Sequence, residues 1–441
     1  MKAKLTTNIL IVLTGVLLLG GILIYILNAE GDNPRLTLSP DTVYTNGRED
    51  FELAAADPGM GIKSVNIKVI QGDTETEVLS EEMDKDVHRA DFEFELPLKE
   101  MQQGNFTVVA VCTDNSWSNW KKGNSRVLEK EMVLDTKPPM VSMVSTKHNL
   151  NQGGSGLAVF DVSEDAKRCG VKIGERFFPA YSGDNGHYYC LFSFPYDADP
   201  DQDVPRVVAE DRAGNEYSAG FYYYVNAKTF KPDRINIPDS FLRAKMPQFQ
   251  GDFPEEKDLL ELFLKVNREL RRENRERLHS IGLETASSLA IDGPFIRQRG
   301  STRADFADKR TYFYQQEEID KQTHLGVDLA SVAQAQVPAA NSGEVVFAGF
   351  MGIYGNAVII DHGLGLQSLY AHLSAIGVER GQEVKKGRII GRSGATGLAG
   401  GDHLHFGVLV SGTPVNPVEW WDRTWIENNI LNKLDRFSSD S

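Results

Sequence analysis

Cysteine is scarce in this 441-residue chain: only Cys112, Cys169 and Cys190 occur. None forms a CxxC pair, which excludes a structural cysteine-zinc site. Cys112 ends the apolar run Val108–Cys112 and reads as a small buried side chain. Cys169 and Cys190 are available for one disulfide in an oxidising compartment. Basic charge is also short. The 47 Lys and Arg stand against 62 Asp and Glu, a formal net charge of −15. A nucleic-acid-binding face needs a basic excess, so no nucleic-acid partner is expected. No HExxH occurs, which excludes the helix-based zincin arrangement. No second long apolar run follows the first, so the sequence allows one membrane span and no more. What is present is ordinary for globular protein: 41% hydrophobic and 25% charged residues, with length for about three domains. The 40 glycines imply many turns, and hence much β structure.

The one apolar run is Ile9–Leu27. At about 1.5 Å per residue it spans close to 30 Å, the hydrocarbon thickness of a bilayer. Lys2 and Lys4 precede it, and Glu30 and Asp32 follow. The positive-inside rule then keeps the N-terminus in the cytoplasm and exports the rest. A cleaved signal peptide is the rival. Its apolar region is usually shorter and is followed by a small-x-small site, which Ile26-Leu27-Asn28-Ala29 lacks. The expectation is an uncleaved single-pass anchor in the cytoplasmic (inner) membrane over residues 1–30, held through residues 9–27, with the body in the periplasm or cell-wall space.

Beyond the anchor the chain reads as mainly β. In 34–136, Val65, Ile67 and Val69 alternate with Asn66 and Lys68, and Phe92, Phe94 and Leu96 alternate with Glu93 and Glu95. That is period two, with one face buried. Asp135-Thr-Lys-Pro-Pro139 makes a stiff linker. Residues 140–228 read as β again, and a faint echo links the two stretches. Val108-Val-Ala110 precedes Asp114 and Asn119, while Val207-Val-Ala209 precedes Asp211 and Asn215. Two tandem β-sandwiches of about 100 residues fit these lengths, and the turn Asp211-Arg-Ala-Gly-Asn215 resembles those of immunoglobulin-like domains on exported bacterial proteins. Residues 229–304 read as a linker containing a helix at 255–281, with Leu259, Leu262, Phe263, Val266 and Leu270 along one stripe. Its arginines alternate with glutamates, which predicts a solvated face laced with i,i+4 pairs. Gly282 stops the helix. Residues 305–422 are Gly-rich and β-patterned, and 423–441 form a C-terminal helix or tail.

Five of the nine histidines fall between 324 and 405. In His403-Leu-His405-Phe-Gly-Val408, strand alternation sends Leu404, Phe406 and Val408 to the core and sets His403 and His405 side by side on the other face. Two imidazoles on an open face suit a metal ligand with a neighbouring acid or base. His324-Leu-Gly-Val-Asp328 offers an imidazole and a carboxylate. Two neutral histidines and one carboxylate, with a water in the fourth position, are typical of catalytic zinc. Tyr370-Ala-His372-Leu373 offers one more imidazole to the same cleft, or a satisfied core histidine.

The order of the motifs is informative. His324-x-Gly-x-Asp328, Pro338…Gly343, Tyr354-Gly-Asn-Ala-Val-Ile-Ile-Asp-His-Gly363, Tyr370-Ala-His-Leu373, Gly391-x-x-Gly-x-Thr-Gly397 and His403-Leu-His-Phe406 follow one another. Together they closely resemble the lysostaphin-like (LytM-type) zinc metallopeptidases, a family of peptidoglycan endopeptidases. The resemblance covers about residues 310–422. It implies an antiparallel β-sheet groove and one Zn2+ held by His324, Asp328 and His405. It also implies His403 and His372 as catalytic histidines, and His362 as a structural member of the "HG" turn. No ligand departs from the active pattern, unlike the family's inactive members. Gly381-Gln-Glu-Val-Lys-Lys-Gly387 resembles a turn of biotinyl and lipoyl carrier domains, but this metallopeptidase family has the same turn.

The expected function is zinc-dependent cleavage of peptidoglycan peptide cross-links from a membrane-anchored position. The alternative is a non-cleaving wall-binding protein that controls other hydrolases. The β-domains then serve as a stalk or bind a protein partner. The stretch 283–312, with Arg297, Arg299 and Arg303, is a candidate cover for the groove.

Overall fold

A computed structural model describes residues 2–29, 31–84, 86–163 and 166–438. Glu30 of the expected anchor flank and residues 439–441 of the expected C-terminal helix lie outside them. Lys2–Asn28 form one helix, and its stretch Asn8–Asn28 is long and apolar enough to cross a membrane. Its leucines and isoleucines from Ile9 to Leu27 are exposed all round, the pattern of a helix without a protein core to face.

The rest is mainly β, and the chain divides into two compact units. One comprises Met1–Pro138 with Asp211–Asn215, the other Pro139–Glu210 with Glu216–Ser441. In the first unit a three-stranded antiparallel sheet and a five-stranded sheet, antiparallel except for its edge strand Tyr44–Thr45, carry the period-two pattern. Phe51, Leu53, Val65, Ile67, Phe92 and Phe94 fill its core. The echo seen in the sequence has a structural form with a changed partner. Asp114 accepts from the backbone and side-chain amides of Asn124, at 2.7 and 2.9 Å. Asp211 accepts from those of Asn215, at 2.9 and 2.9 Å. The counterpart of Asn215 is therefore Asn124 and not Asn119, because a longer excursion through Trp117–Gly123 separates Asp114 from its asparagine. Asn119 lies on that excursion, in the left-handed region.

The second unit begins with two four-stranded sheets, one containing Ser155–Val162 and Tyr188–Ser193, the other Arg168–Ile173 and Arg206–Glu210. Cys190 and Cys169 sit in opposite sheets as buried free thiols, and burial pushes the Cys169 thiol up to about 12. Leu157, Phe160, Phe192 and Val207 share one hydrophobic core with Val358, Val408 and Trp420 of the C-terminal region. The C-terminal helical stretch joins this core through Ile426 and Ile430, and Lys433 Nζ donates to the Leu157 carbonyl at 3.0 Å.

The C-terminal region is built on an eight-stranded antiparallel sheet. Its central strands are Val327–Ala330, Leu404–Val410, Leu366–Leu373 and Asn356–Asp361. A second, three-stranded sheet joins Pro232–Asn236 in parallel to Lys309–Tyr314, which pairs with Glu317–Thr323. The helical stretch Leu259–Gly282 packs beside it. It starts four residues later than the pattern at 255 suggested, because Asp258 accepts from the amides of Leu260 and Glu261 and caps it there. At its far end Gly282 is required by close approach: a Cβ there would lie 2.1 Å from the Gly412 nitrogen.

The arginines of this helix correct the expectation of a merely solvated face. Arg268 pairs with Asp320 at 3.0 Å and donates to the Ile319 carbonyl. Arg275 reaches the Thr323 carbonyl, and Arg277 stacks on Phe347. Arg272–Glu276 makes the expected i,i+4 pair. The other three tie the helix to neighbouring strands, since a guanidinium reaches across to acceptors its own helix lacks. Of the stretch 283–312, only Arg310 and Tyr312 near its end line the groove, and residues 283–300 do not cover it. They run along another edge, where Ala290 donates to the His362 carbonyl and Phe295 to that of Trp420. Arg297 lies over Trp421.

Candidate metal and catalytic site

Strand register brings the candidate side chains together. Asp328 lies directly opposite His405, and His405 directly opposite Ala371. Directly opposed residues point to the same face. His403 and His405 share that face, while Leu404, Phe406 and Val408 enter the core behind it. By alternation His372 would follow Tyr370 to the core face. Its backbone is instead left-handed, with φ 62°, a costly conformation for a side chain with a Cβ. The twist turns the imidazole toward the other histidines. Its ring centre lies 4.9 Å from that of His403 and 5.8 Å from that of His405.

The ligand atoms converge. His324 Nε2 is 3.0 Å from Asp328 Oδ1 and 3.0 Å from His405 Nδ1. His405 Nδ1 is 2.9 Å from the same Asp328 oxygen. The tautomer of His324 follows from its surroundings. Its Nδ1 faces the Asp305 carbonyl at 2.9 Å, which can only accept. Nδ1 therefore carries the proton, and Nε2 presents a lone pair. A backbone carbonyl behind a ligating histidine is the usual support of a metal-binding imidazole. His324, Asp328 and His405 are all buried and offer one ligand atom each within 4.8 Å of one another. His405 Nε2 is buried and, among the described residues, has no hydrogen-bond partner. Two nitrogens and a carboxylate oxygen aimed at one point suit a divalent cation such as Zn2+ better than they suit one another.

The electrostatics point the same way. Burial opposes ionisation of Asp328, but His324, His403 and His405 outweigh it and hold the carboxyl well below its usual range. Burial, aided by the neighbouring histidines, keeps His372 well below the ordinary imidazole value and lowers His405 to about 4. An ionised carboxylate and neutral imidazoles are the protonation states a metal requires. His403 is half-buried. Burial lowers it, yet the Asp328 carboxylate, 3.6 Å from its Nε2, raises it overall. His372 and His403, outside the converging three, are both anchored at Nδ1, His372 on the Thr396 carbonyl at 2.9 Å and His403 on that of Gly401 at 2.8 Å.

Two residues of the site escaped the sequence reading. Arg310, on strand Lys309–Tyr314, donates to Asp328 Oδ2 at 2.9 Å and lies 3.3 Å from Asp233. It occupies the oxygen of Asp328 that the histidines leave. Tyr354 lies 5.7 Å, ring to ring, from His405. No local motif marks Arg310, and Tyr354 opens the motif Tyr354…Gly363 without any sign there that it faces the histidines. His362 stands apart, with Nδ1 on the Ser342 carbonyl and Nε2 on the Ser368 hydroxyl. A fully satisfied imidazole packed against Phe295 is a structural residue. The five other residues surround a cavity of about 270 Å³, which Arg271, Arg310, Tyr354 and apolar residues also line.

Residues 322–417 match the model of Peptidase family M23. This part of the chain is an M23 peptidase domain. It is 45% identical over 95 residues to the DD-carboxypeptidase/endopeptidase Mpg of Neisseria meningitidis serogroup B, 22% of this chain and 22% of that protein. It is 41% identical over 96 residues to the peptidoglycan DD-endopeptidase ShyA of Vibrio cholerae, again 22% of each chain. The solved catalytic domain of lysostaphin from Staphylococcus simulans is 30% identical, with a TM-score of 0.24, covering 28% of this chain and 92% of that one. The chain thus spans about a fifth of the length of the curated relatives it matches. The M23 match contains all five converging residues. Arg310, Arg271 and the strand Pro232–Asn236 lie before it.

Proposed function

We propose that this chain is a membrane-anchored, zinc-dependent endopeptidase that hydrolyses peptide cross-links of bacterial peptidoglycan. One observation carries the reading: His324 Nε2, Asp328 Oδ1 and His405 Nδ1 converge in a cleft that also holds His372 and His403. The name of one relative, the peptidoglycan DD-endopeptidase ShyA, supplies the substrate class, and that of Mpg is also an endopeptidase's.

His324, Asp328 and His405 are the ligands in this reading. Zinc supplies Lewis acidity there, activating water and polarising the scissile carbonyl. The chain's own residues do the rest. Arg310 orients Asp328 and balances its charge. His372 and His403, held at Nδ1 by backbone carbonyls, present Nε2 to the reacting atoms. There they accept the proton of the attacking water, return one to the leaving amine, and stabilise the developing oxyanion. The apolar helix fits the location: with Lys2 and Lys4 on its short side, it keeps the N-terminus in the cytoplasm and places the catalytic body at the wall.

The test is product analysis. Detergent-solubilised full-length protein is loaded with zinc and incubated with purified sacculi. Released muropeptides are compared by mass spectrometry with those from a His403→Ala variant and a chelated sample. The expected result is conversion of cross-linked dimers to monomers that needs both zinc and His403. Bound zinc without any new peptide ends would overturn the proposal.

A further inference from the structure

The cleft carries more positive charge than the site itself uses. Asp328 is the one carboxylate lining it among the described residues. Both of its oxygens are engaged, Oδ1 with the histidines and Oδ2 with Arg310. A second guanidinium, Arg271, lines the same cavity. No ion pair to Arg271 occurs among the described residues. Its own helix offers no carboxylate at the fourth position in either direction, since Asn267 lies at i−4 and Arg275 at i+4. In an acidic chain, a half-buried cation facing a cleft without a counter-ion requires a reason.

Arg271 is also held in place. Its Nε donates to the Asn267 carbonyl at 3.2 Å, and its Nη2 to Asn267 Oδ1 at 2.6 Å. Asn267 is itself buried and fixed by donation to Asp320 Oδ2 at 2.7 Å. Asn267 lies in the π-helical turn Val266–Leu270, and Arg271 follows it directly. Such turns occur often at functional sites. A guanidinium has five N–H donors, of which the helix takes two. The remainder form a preset fork of the kind that recognises carboxylates.

We infer that Arg271 is a specificity-determining residue whose guanidinium binds a free carboxylate on the peptide substrate, next to the scissile amide. This rests on the proposed endopeptidase reading for its substrate, and on the unpaired guanidinium in the cleft for its site. The M23 match begins at residue 322, so the preference belongs to the added wall and not to the catalytic floor.

The test uses two synthetic branched peptides. In both, D-alanine is joined through its carboxyl to the side-chain amine of a diamino acid. That diamino acid carries a free carboxylate in one and a carboxamide in the other. Full-length zinc-loaded protein should cleave the carboxylate form with a kcat/KM about tenfold to a hundredfold higher, the range of a charge-assisted hydrogen bond. Arg271→Met should bring the ratio near one, mainly through KM, and Arg271→Lys should keep part of it. Equal kcat/KM for the two peptides in the unsubstituted protein would overturn the inference. A binding arm separates this failure from failure of the endopeptidase reading. Full-length His403→Ala protein should bind the carboxylate peptide at least about tenfold more tightly than the carboxamide, and the added Arg271→Met change should erase the difference. Absence of cleavage sinks the parent reading, while equal affinities sink this one. Matching thermal melts for the variants exclude a folding defect as the cause.

Discussion

The floor and the wall of the cleft are built on different principles. The floor comes from residues 324 to 405 and is a hydrogen-bonding problem solved by register. Paired strands put Asp328 opposite His405, and a left-handed turn adds His372. The wall comes from residues 235 to 312, on a separate sheet and helix, and is a packing problem. Ile235, Phe263 and Tyr312 are set there by their share in a second hydrophobic cluster. Arg271 and Arg310 are the wall's two charged contributions. In the proposed reading the floor therefore supplies chemistry, and the wall supplies shape and charge. Substitutions on the two sides should differ in kind as well as in size.

The largest effect belongs to the floor's ligand set. Asp328→Ala removes the atom that both ligand histidines approach and leaves Arg310 with Asp233 alone. Zinc content by atomic absorption should fall to background, and wall hydrolysis with it. Full zinc occupancy in this variant would show that the convergence of His324, Asp328 and His405 is not a metal site. One step down are the two histidines that hold no ligand position. His403→Ala and His372→Ala should keep zinc and lose about 10²- to 10⁴-fold in kcat, the usual worth of general acid–base groups. Zinc loss in either would move that histidine into the ligand set.

Arg310 tests where floor and wall meet. Arg310→Met leaves every ligand in place and removes the group that orients Asp328. Supporting groups of this kind typically contribute 10- to 100-fold in metal affinity. Competition with a chelator should show zinc held more weakly by that factor. An unchanged affinity would confine Arg310 to shaping the wall.

The two sides were also unequally legible. The floor is local in sequence: HxxxD and HxH each span one turn or one strand, and alternation alone puts His403 with His405. His372 was harder, because alternation argues for the core, and the φ of 62° that overrides it leaves no mark on the residue pattern. The wall is legible only in part. The apolar stripe Leu259–Leu270 announces a helix, but nothing local says that its arginines face Asp320, Phe347 and the cleft. Arg310 reads as one more surface charge until the meeting of two separate sheets brings it to Asp328. The Asp–Asn echo shows the same limit: the aspartates were aligned correctly, and the partner asparagine was displaced by an excursion whose length only the fold reveals. Motifs report chemistry that lies within one element, whereas contacts between elements need the topology.

An effect on stability alone, with none expected on metal or turnover, lies away from both sides, at the seam between the second β-domain and the M23 domain. Glu419 follows the M23 segment on the helix Pro417–Trp421 and accepts from Asn151 Nδ2 at 2.7 Å and from the Ser155 amide at 2.8 Å. Burial outweighs these bonds and pushes its carboxyl up to about 7. The folded state then holds this proton more tightly than the unfolded chain does. The stability it contributes is fully present below the ordinary value of 4.5 and is lost as pH rises through about 7. The full loss is at most about 3 kcal/mol. Glu419→Gln removes the ionisation and keeps a carbonyl for the Ser155 amide, while the Asn151 amide must turn to match. Urea titrations of the unsubstituted protein and the variant at pH 5 and pH 8 should show the unsubstituted protein less stable at the higher pH, and a smaller difference in the variant. The metal and the cleft play no part in this term, so it should persist in Asp328→Ala. Equal pH slopes in the two proteins would mean that the seam is held by the shared core around Trp420 and Ile426 and that the buried carboxylate adds nothing to its pH dependence.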